Sequence, residues 1–330
     1  MDKTFNFVSI ILAVRNEKPH IKQCLDSLLR QTYPIKQYEI LVIDGMSVDG
    51  SQEIIKFYQN QHPRVKYFNN PRKIKPAGLN IGLKNARGGI MIIFDGHAQA
   101  YNDFIAQSVA CLKKTDAVCV GGPIVTQGTN YLSQAIALAL SSRFGSGGAK
   151  FRSSPNYEGY TDTVAFGAYR RTIFNQVGFF NTKRIRTEDL DLHYRIKKAG
   201  GKFFITPKIK SVYFCRSNLI SLAQQAWQNG QEIMSIIYGL SWRHLAPLFF
   251  VLSVLASLIS AFFFDIGLKL LILILGAYTL TNLFFSLWLG LKHHPKYLPA
   301  LPIIFAVLHL SYGLGSLTGI TKIRFKPQHV

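Results

Sequence analysis

Three short stretches of this 330-residue chain carry the side chains best suited to polar chemistry. Asp44 stands in Ile43-Asp44-Gly45-Met46-Ser47-Val48-Asp49-Gly50-Ser51, Asp95 and His97 flank a glycine, and Glu188 and Asp189 adjoin in Thr187-Glu188-Asp189-Leu190-Asp191-Leu192. A carboxylate and an imidazole one residue apart can both reach one divalent ion, a pairing that suits Mn2+ well and Mg2+ acceptably. An acidic pair that opens a helix lies where the positive end of the helix dipole favours ionised acids. A carboxylate so placed can act as a general base. Asp44 can accept hydrogen bonds from a base or ribose, although an aspartate before glycine is also an ordinary turn residue. Each stretch is commonplace alone. Together and in this order they offer a binding group, a cation site and a base.

The elements that must position these residues are legible as an alternation. Apolar strand-like runs at 8–14, 39–43, 65–68, 90–94 and 117–120 alternate with helical patterns at 19–30, 51–58 and 77–86. That rhythm predicts an α/β domain with a mostly parallel sheet covered by helices. The unbroken hydrophobicity of 40–43 and 90–94 fits strands buried on both faces, and both runs end on an aspartate. Ligands gather at the carboxyl ends of such strands, so Asp44 and Asp95 should face one crevice. Residues 141–162 are rich in glycine and serine and carry Arg143, Lys150 and Arg152, which reads as a mobile substrate loop. Beyond it, 163–169 and 202–206 read as strands, 188–199 as a helix, and 219–238 as a helical stretch leading toward a membrane.

The last third differs in kind. Segments 245–264, 270–291 and 298–320 contain no Asp, Glu, Lys or Arg, and each approaches the ~20 residues a bilayer crossing requires. Two domains are expected, 1–243 and a membrane domain, 244–330. The spans hold a single ionisable residue, His309, which argues against a transporter or channel. The chain has 38 Lys and Arg against 17 Asp and Glu, a net charge of +21. Only six of those basic and one of those acidic residues lie beyond 243, leaving +16 before the spans. A basic domain tethered to a bilayer points to membrane phospholipid as a partner, and the absence of a nucleic-acid motif argues against nucleic acid. The first apolar run is too short for a secretory signal, and four cysteines with no paired spacing suit a reducing compartment.

With these features assembled, the sequence resembles glycosyltransferase family 2, the inverting enzymes of the GT-A fold, and within it the branch similar to succinoglycan-biosynthesis glycosyltransferases. The resemblance rests on Ala13-Val14-Arg15-Asn16-Glu17, Ser27-Leu28-Leu29-Arg30-Gln31-Thr32-Tyr33-Pro34, the Asp44 segment, Asp95-Gly96-His97-Ala98, Phe166-Gly167-Ala168-Tyr169-Arg170-Arg171 and the Glu188-Asp189 segment. It implies a Rossmann-like GT-A domain followed by transmembrane helices. It also implies that Ala13, Arg15, Glu17, Asp44 and Asp95 bind the donor, that Asp95 and His97 hold a divalent metal, Mn2+ or Mg2+, and that Asp189 is the base with Glu188 in support.

The implied reaction is transfer of a single sugar from a nucleotide-diphosphate sugar, UDP-hexose by family prior, to a lipid-linked or polysaccharide acceptor. A polyprenyl-phosphate glycosyltransferase and an inactive nucleotide-sugar-binding membrane protein are the alternatives. His97 departs from the family's second aspartate. The Gln-x-x-Arg-Trp box of processive synthases is also missing, since Ala223 and Ala226 precede Trp227 where its Gln and Arg would stand. The expected setting is the cell (inner) membrane with a cytoplasmic catalytic domain. Lys322, Arg324 and Lys326 in the tail fit that side only if the third segment, with its prolines and glycines, re-enters.

Overall fold

The computed structural model describes residues 6–234 and 242–321. It opens with β1 (Val8–Val14), α1 (Lys18–Leu29), β2 (Tyr38–Asp44), α2 (Ser51–Gln61), β3 (Val65–Asn69), α3 (Lys75–Asn85) and β4 (Ile90–Phe94). Next come β5 (Ala98–Ala100), α4 (Phe104–Lys114), β6 (Cys119–Gly122), β7 (Ile124–Gln127), α5 (Tyr131–Ser141), α6 (Arg143–Ser146) and α7 (Lys150–Ser153). The sheet part closes with β8 (Gly159–Thr161), β9 (Ala165–Arg170), α8 (Thr172–Val177), α9 (Glu188–Lys198), β10 (Phe203–Ile205) and β11 (Ser211–Phe214). The helices α10 (Leu219–Ile233), α11 (Trp242–Ala261), α12 (Asp265–His293) and α13 (Leu301–Thr321) follow.

Eight strands form one sheet in the order β3-β2-β1-β4-β9-β6-β10-β8. β1 lies parallel between β2 and β4, β3 is parallel to β2, and β9 runs antiparallel between β4 and β6. Alternate side chains of β1 serve opposite layers. Val8, Ile10 and Leu12 pack with Ile21, Leu25 and Phe104 on the α1 and α4 side, while Ile11 packs with Leu79 and Leu83 of α3. Burial on both faces is why this strand is continuously apolar. α3 lies close on the sheet because Gly82 faces it: a Cβ there would stand 2.3 Å from Ile11 Cγ2 and 2.9 Å from Ile43 Cδ1. That packing fixes the first residue of α3, Lys75, at the carboxyl ends of the strands. Val14 is paired with Asp44 and Leu12 with Phe94, so the ends of β1, β2 and β4 meet where the direction of crossover reverses.

The chain divides into two compact units, Met1–Val125 with Lys150–Phe214, and Thr126–Ala149 with Cys215–Val330. The division departs from a single cut at 243, because α5 and α6 fold with the C-terminal helices. Phe144 of α6 stacks on Phe285 at a centroid distance of 4.8 Å, and its carbonyl bonds His309 Nε2 at 3.0 Å. The other ring nitrogen of His309 meets Tyr278 Oη at 3.1 Å, and Asn282 donates to the Pro302 carbonyl at 3.0 Å. Polar groups on these apolar helices therefore have partners, as a lipid setting requires. Residues 141–162 are structured as α6, α7 and β8, with β8 paired to β10, in place of the open loop expected.

The helices α11, α12 and α13 are each long and apolar enough to cross a membrane. They overlap the three expected segments, leaving out 262–264 and 298–300, with Arg243 inside the first turn of α11 and Asp265 opening α12. α13 is one continuous helix over Leu301–Thr321. Pro302 stands in its first turn, where no N–H is required. Its glycines serve close packing: a Cβ on Gly315 would lie 2.1 Å from the Trp227 carbonyl of α10. The tail charges Lys322, Arg324 and Lys326, and the end of the helical stretch expected to 238, lie outside the described residues.

Candidate active site

The loops after β1 and β2 are laced together. Asn16 takes a left-handed φ of 57°, tolerable for asparagine, and its backbone N–H donates to Ser47 Oγ at 2.8 Å while its side chain accepts from Val48 N at 3.0 Å. Glu17 N donates to Ser51 Oγ and Lys18 N to Asp49. Asp44 at the end of β2 is completely buried. Its carboxylate accepts from the Ser47 backbone at 3.1 Å, from the Ser47 hydroxyl and from the Gln52 amide at 2.9 Å. Tyr67 Oη stands 3.5 Å away, and burial with the Asp44 charge pushes that phenol up to about 12. Ala13 is half-buried near the end of β1, and Arg15 is exposed beside Gly45.

Asp95 and His97 follow β4 and occupy a different environment. Glu17 Oε1 holds His97 Nδ1 at 2.9 Å; because a carboxylate accepts, Nδ1 carries the proton and Nε2 is the ring atom that faces Asp95 Oδ2 across 4.0 Å. The edge of the imidazole rests on Tyr213 of β11, whose ring also lies 5.0 Å from the Arg152 guanidinium of α7. Asp95 Oδ1 meets Lys75 Nζ at 2.9 Å, and the same ammonium reaches Glu188 Oε1 at 3.3 Å. Burial works against the charged form of Asp95, but Lys75 and His97 outweigh it and hold the carboxyl below its usual value. Burial also opposes charge on His97 and on Lys75. The Glu17 hydrogen bond and Asp95 raise the first, and Asp95 followed by Glu188 raises the second.

Glu188 and Asp189 open α9 with their side chains in contrasting places. Glu188 is buried, its Oε2 has no hydrogen-bond partner, and burial pushes its carboxyl up to about 7 against the pull of Lys75. Asp189 is exposed, and one oxygen accepts from Leu190 N at 2.8 Å. Asp191, the other acid of the segment, is buried in an ion pair with Arg195 at 2.9 Å, and that arginine also donates to the Phe179 carbonyl. Asp191 thus ties α9 to the chain after α8. One turn beyond Asp189, His193 is buried between Thr163 Oγ1 at 2.8 Å and Tyr169 Oη at 2.7 Å, and burial depresses its pKa to about 4.

The structure thus gathers Glu17, Asp95, His97 and Glu188 into one connected network, while Asp44 bonds within its own loop. Sequence reasoning passed over Lys75 and Tyr213, and named Arg152 only as a basic residue of the expected substrate loop. A signal for Lys75 existed: a lysine just before Pro76 at the start of a helix lies at the positive end of the dipole, which disfavours a cation unless carboxylates meet it. Among the described residues no three His, Cys, Asp or Glu side chains are grouped to hold a metal ion. The facing His97 Nε2 and Asp95 Oδ2, with Nδ1 held by Glu17, fit two ligands and an orienting carboxylate for a divalent ion whose remaining positions go to other ligands.

Comparison with known proteins settles the family. The description "Glycosyl transferase family 2" matches residues 9–178. The chain belongs to glycosyl transferase family 2. It is a glycosyltransferase, an enzyme that moves a sugar from a nucleotide sugar. A dolichyl N-acetyl-alpha-D-glucosaminyl phosphate 3-beta-D-2,3-diacetamido-2,3-dideoxy-beta-D-glucuronosyltransferase of Methanococcus voltae is 30% identical over 329 residues, covering 96% of this chain and 98% of that one. The succinoglycan biosynthesis protein ExoA of Rhizobium meliloti is 26% identical, covering 93% and 92%. The branch resemblance drawn from the motifs agrees with this relative. A mannosyltransferase from Pyrobaculum calidifontis, solved with GDP-Man and Mn2+, shares the fold with a TM-score of 0.59 at 19% identity, over 94% of this chain and 86% of that one. The glycosyltransferase has the GT-A fold, followed by three helices able to cross a membrane.

Proposed function

We propose that this glycosyltransferase adds one sugar, with inversion, from a nucleotide-diphosphate sugar of the UDP-hexose class to a lipid-linked or polysaccharide acceptor at the cell membrane. The observation that carries the reading is the placement of an exposed Asp189 next to a buried Glu188 that is joined through Lys75 to Asp95. An acceptor hydroxyl needs an accessible base, and Asp189 is accessible. Glu188 supports it by closing the network beneath. Asp95 and His97 would hold a divalent cation, Mn2+ or Mg2+, with Glu17 fixing the imidazole through Nδ1. When bound, such a cation neutralises the diphosphate and stabilises the leaving nucleotide. Ala13, Arg15, Glu17 and Asp44 line the donor side, where the laced loops hold the ends of β1 and β2 in one arrangement.

The relatives support the acceptor class, since one is named for a dolichyl phosphate substrate and another for succinoglycan biosynthesis. We place the catalytic part, residues 1–243, in the cytoplasm and the membrane part, 244–330, in the cell membrane, where the basic surface meets anionic phospholipid. Single addition follows from the absent processive box and from spans whose polar groups bond one another and leave no lining for an aqueous channel. The experiment is a screen of nucleotide sugars with Mn2+, read by donor hydrolysis and by sizing of products on a lipid-linked acceptor. One product a single sugar longer is expected. A ladder of lengthening saccharides overturns single addition, and no turnover of any nucleotide sugar overturns the donor class.

A further inference from the structure

Lys75 bridges Asp95 and Glu188, and its location is imposed by packing. Gly82 seats α3 tightly on β1 and β2, and the helix begins at Lys75, so the ammonium is delivered between the end of β4 and the start of α9. There it lies 2.9 Å from Asp95 Oδ1 and 3.3 Å from Glu188 Oε1. Nothing in the local helix favours it, since the helix start already carries positive partial charge. Its partners do. Glu188 in particular is buried with Oε2 unpartnered, so without Lys75 it would be a buried carboxylate lacking any charge partner described in the structure.

We propose that Lys75 is a resident monocation of the metal subsite: it neutralises Asp95 and Glu188 in the donor-free enzyme, so that a divalent ion is held firmly only together with the diphosphate. The inference rests on the reading of Asp95 and His97 as metal ligands. Asp95 and Lys75 offset one another, and Glu188, whose carboxyl is pushed up to about 7, adds only part of a further negative charge, a weak attraction for a divalent ion that must also lie near the ammonium. A diphosphate adds negative charge and offers Lys75 a third partner, and the balance then favours the divalent ion. Donor and metal should accordingly bind as a unit, with each raising the affinity for the other. Lys75 is in this account a positioning residue that sets the order of binding.

The test uses the full chain in detergent and follows free Mn2+ by electron paramagnetic resonance, with and without a nucleoside diphosphate, UDP and GDP in parallel. Without nucleotide, Lys75→Met should bind Mn2+ about tenfold more tightly than the native protein or better, because two carboxylates are left without their cation. Lys75→Arg should bind as the native protein does. The double variant Lys75→Met with Glu188→Gln removes whatever negative charge Glu188 contributes and should return toward native affinity, a reversal that damage to the fold would not produce. Lys75→Gln replaces Lys75→Met if the latter does not fold. Equal or weaker Mn2+ binding by Lys75→Met, or by Lys75→Gln in its place, overturns the inference while leaving the metal ligands intact, provided the native protein binds Mn2+ with nucleotide and Asp95→Ala does not. If the native protein shows no such binding, the metal reading and the inference fall together.

Discussion

Asp44 ends β2 and Asp95 follows β4, the strands that flank β1 on either side, yet they are held in opposite ways. Asp44 is sealed from solvent and bonded by neutral donors from its own loop and the helix after it, Ser47 and Gln52. Asp95 is partly exposed and balanced by a cation brought from another element, Lys75 on α3, while the His97 imidazole two residues along faces it. A carboxylate met by fixed neutral dipoles keeps a loop in shape. One met by side-chain cations can exchange them for another cation. The difference separates a corner that holds the donor-side loops from a corner that can accept charge.

The comparison breaks most sharply at Asp95. Asp95→Ala should abolish metal-dependent nucleotide binding, and calorimetry with UDP or GDP and Mn2+ is the measurement; unchanged, metal-independent affinity would remove Asp95 from the ligand set. Asp44→Asn sharpens the other corner. An amide nitrogen placed against the Ser47 and Gln52 donors should cost about 1–3 kcal/mol of stability in denaturant unfolding. A variant as stable as the native chain would mean that Asp44 does not hold its loop.

A smaller effect concerns His193, a third buried polar group that is neutral in the folded state. Burial depresses its pKa from 6.5 to about 4, so between those values the unfolded chain binds the proton that the folded chain refuses. Stability is therefore complete above pH 6.5 and is lost as pH falls toward 4, by up to about 2–3 kcal/mol. Thermal unfolding across that window should show a shallower pH slope for His193→Gln than for the native protein. Parallel slopes would assign the loss to other groups.

What could be read from the sequence follows physical lines. β1 and β4 match the expected 8–14 and 90–94 because strands buried on both faces leave unbroken apolar runs. The three apolar spans were legible for the same reason, length and composition. The antiparallel β9 between β4 and β6 was not, because alternation along the chain carries no information on lateral order. Nor was the partnership of α5 and α6 with the C-terminal helices, since a short apolar helix reads alike in either setting. At the site, type and spacing single out Asp95, His97 and Glu188 as candidates, and the structure places them in one network. The pairing of Glu17 with His97 and the bridge through Lys75 join residues 80 and more than 100 positions apart, respectively, and only the folded chain brings them together.

The account turns on the division of labour within the acidic pair, an exposed base beside a buried partner. The most direct measurement is the turnover of Asp189→Asn, with donor binding followed in parallel by calorimetry. The substitution keeps shape and removes basicity, so kcat should fall by about 10²–10⁴-fold while nucleotide-sugar affinity stays within error of the native value. Near-normal turnover would contradict the assignment of Asp189 as base, as would a loss explained wholly by weaker donor binding.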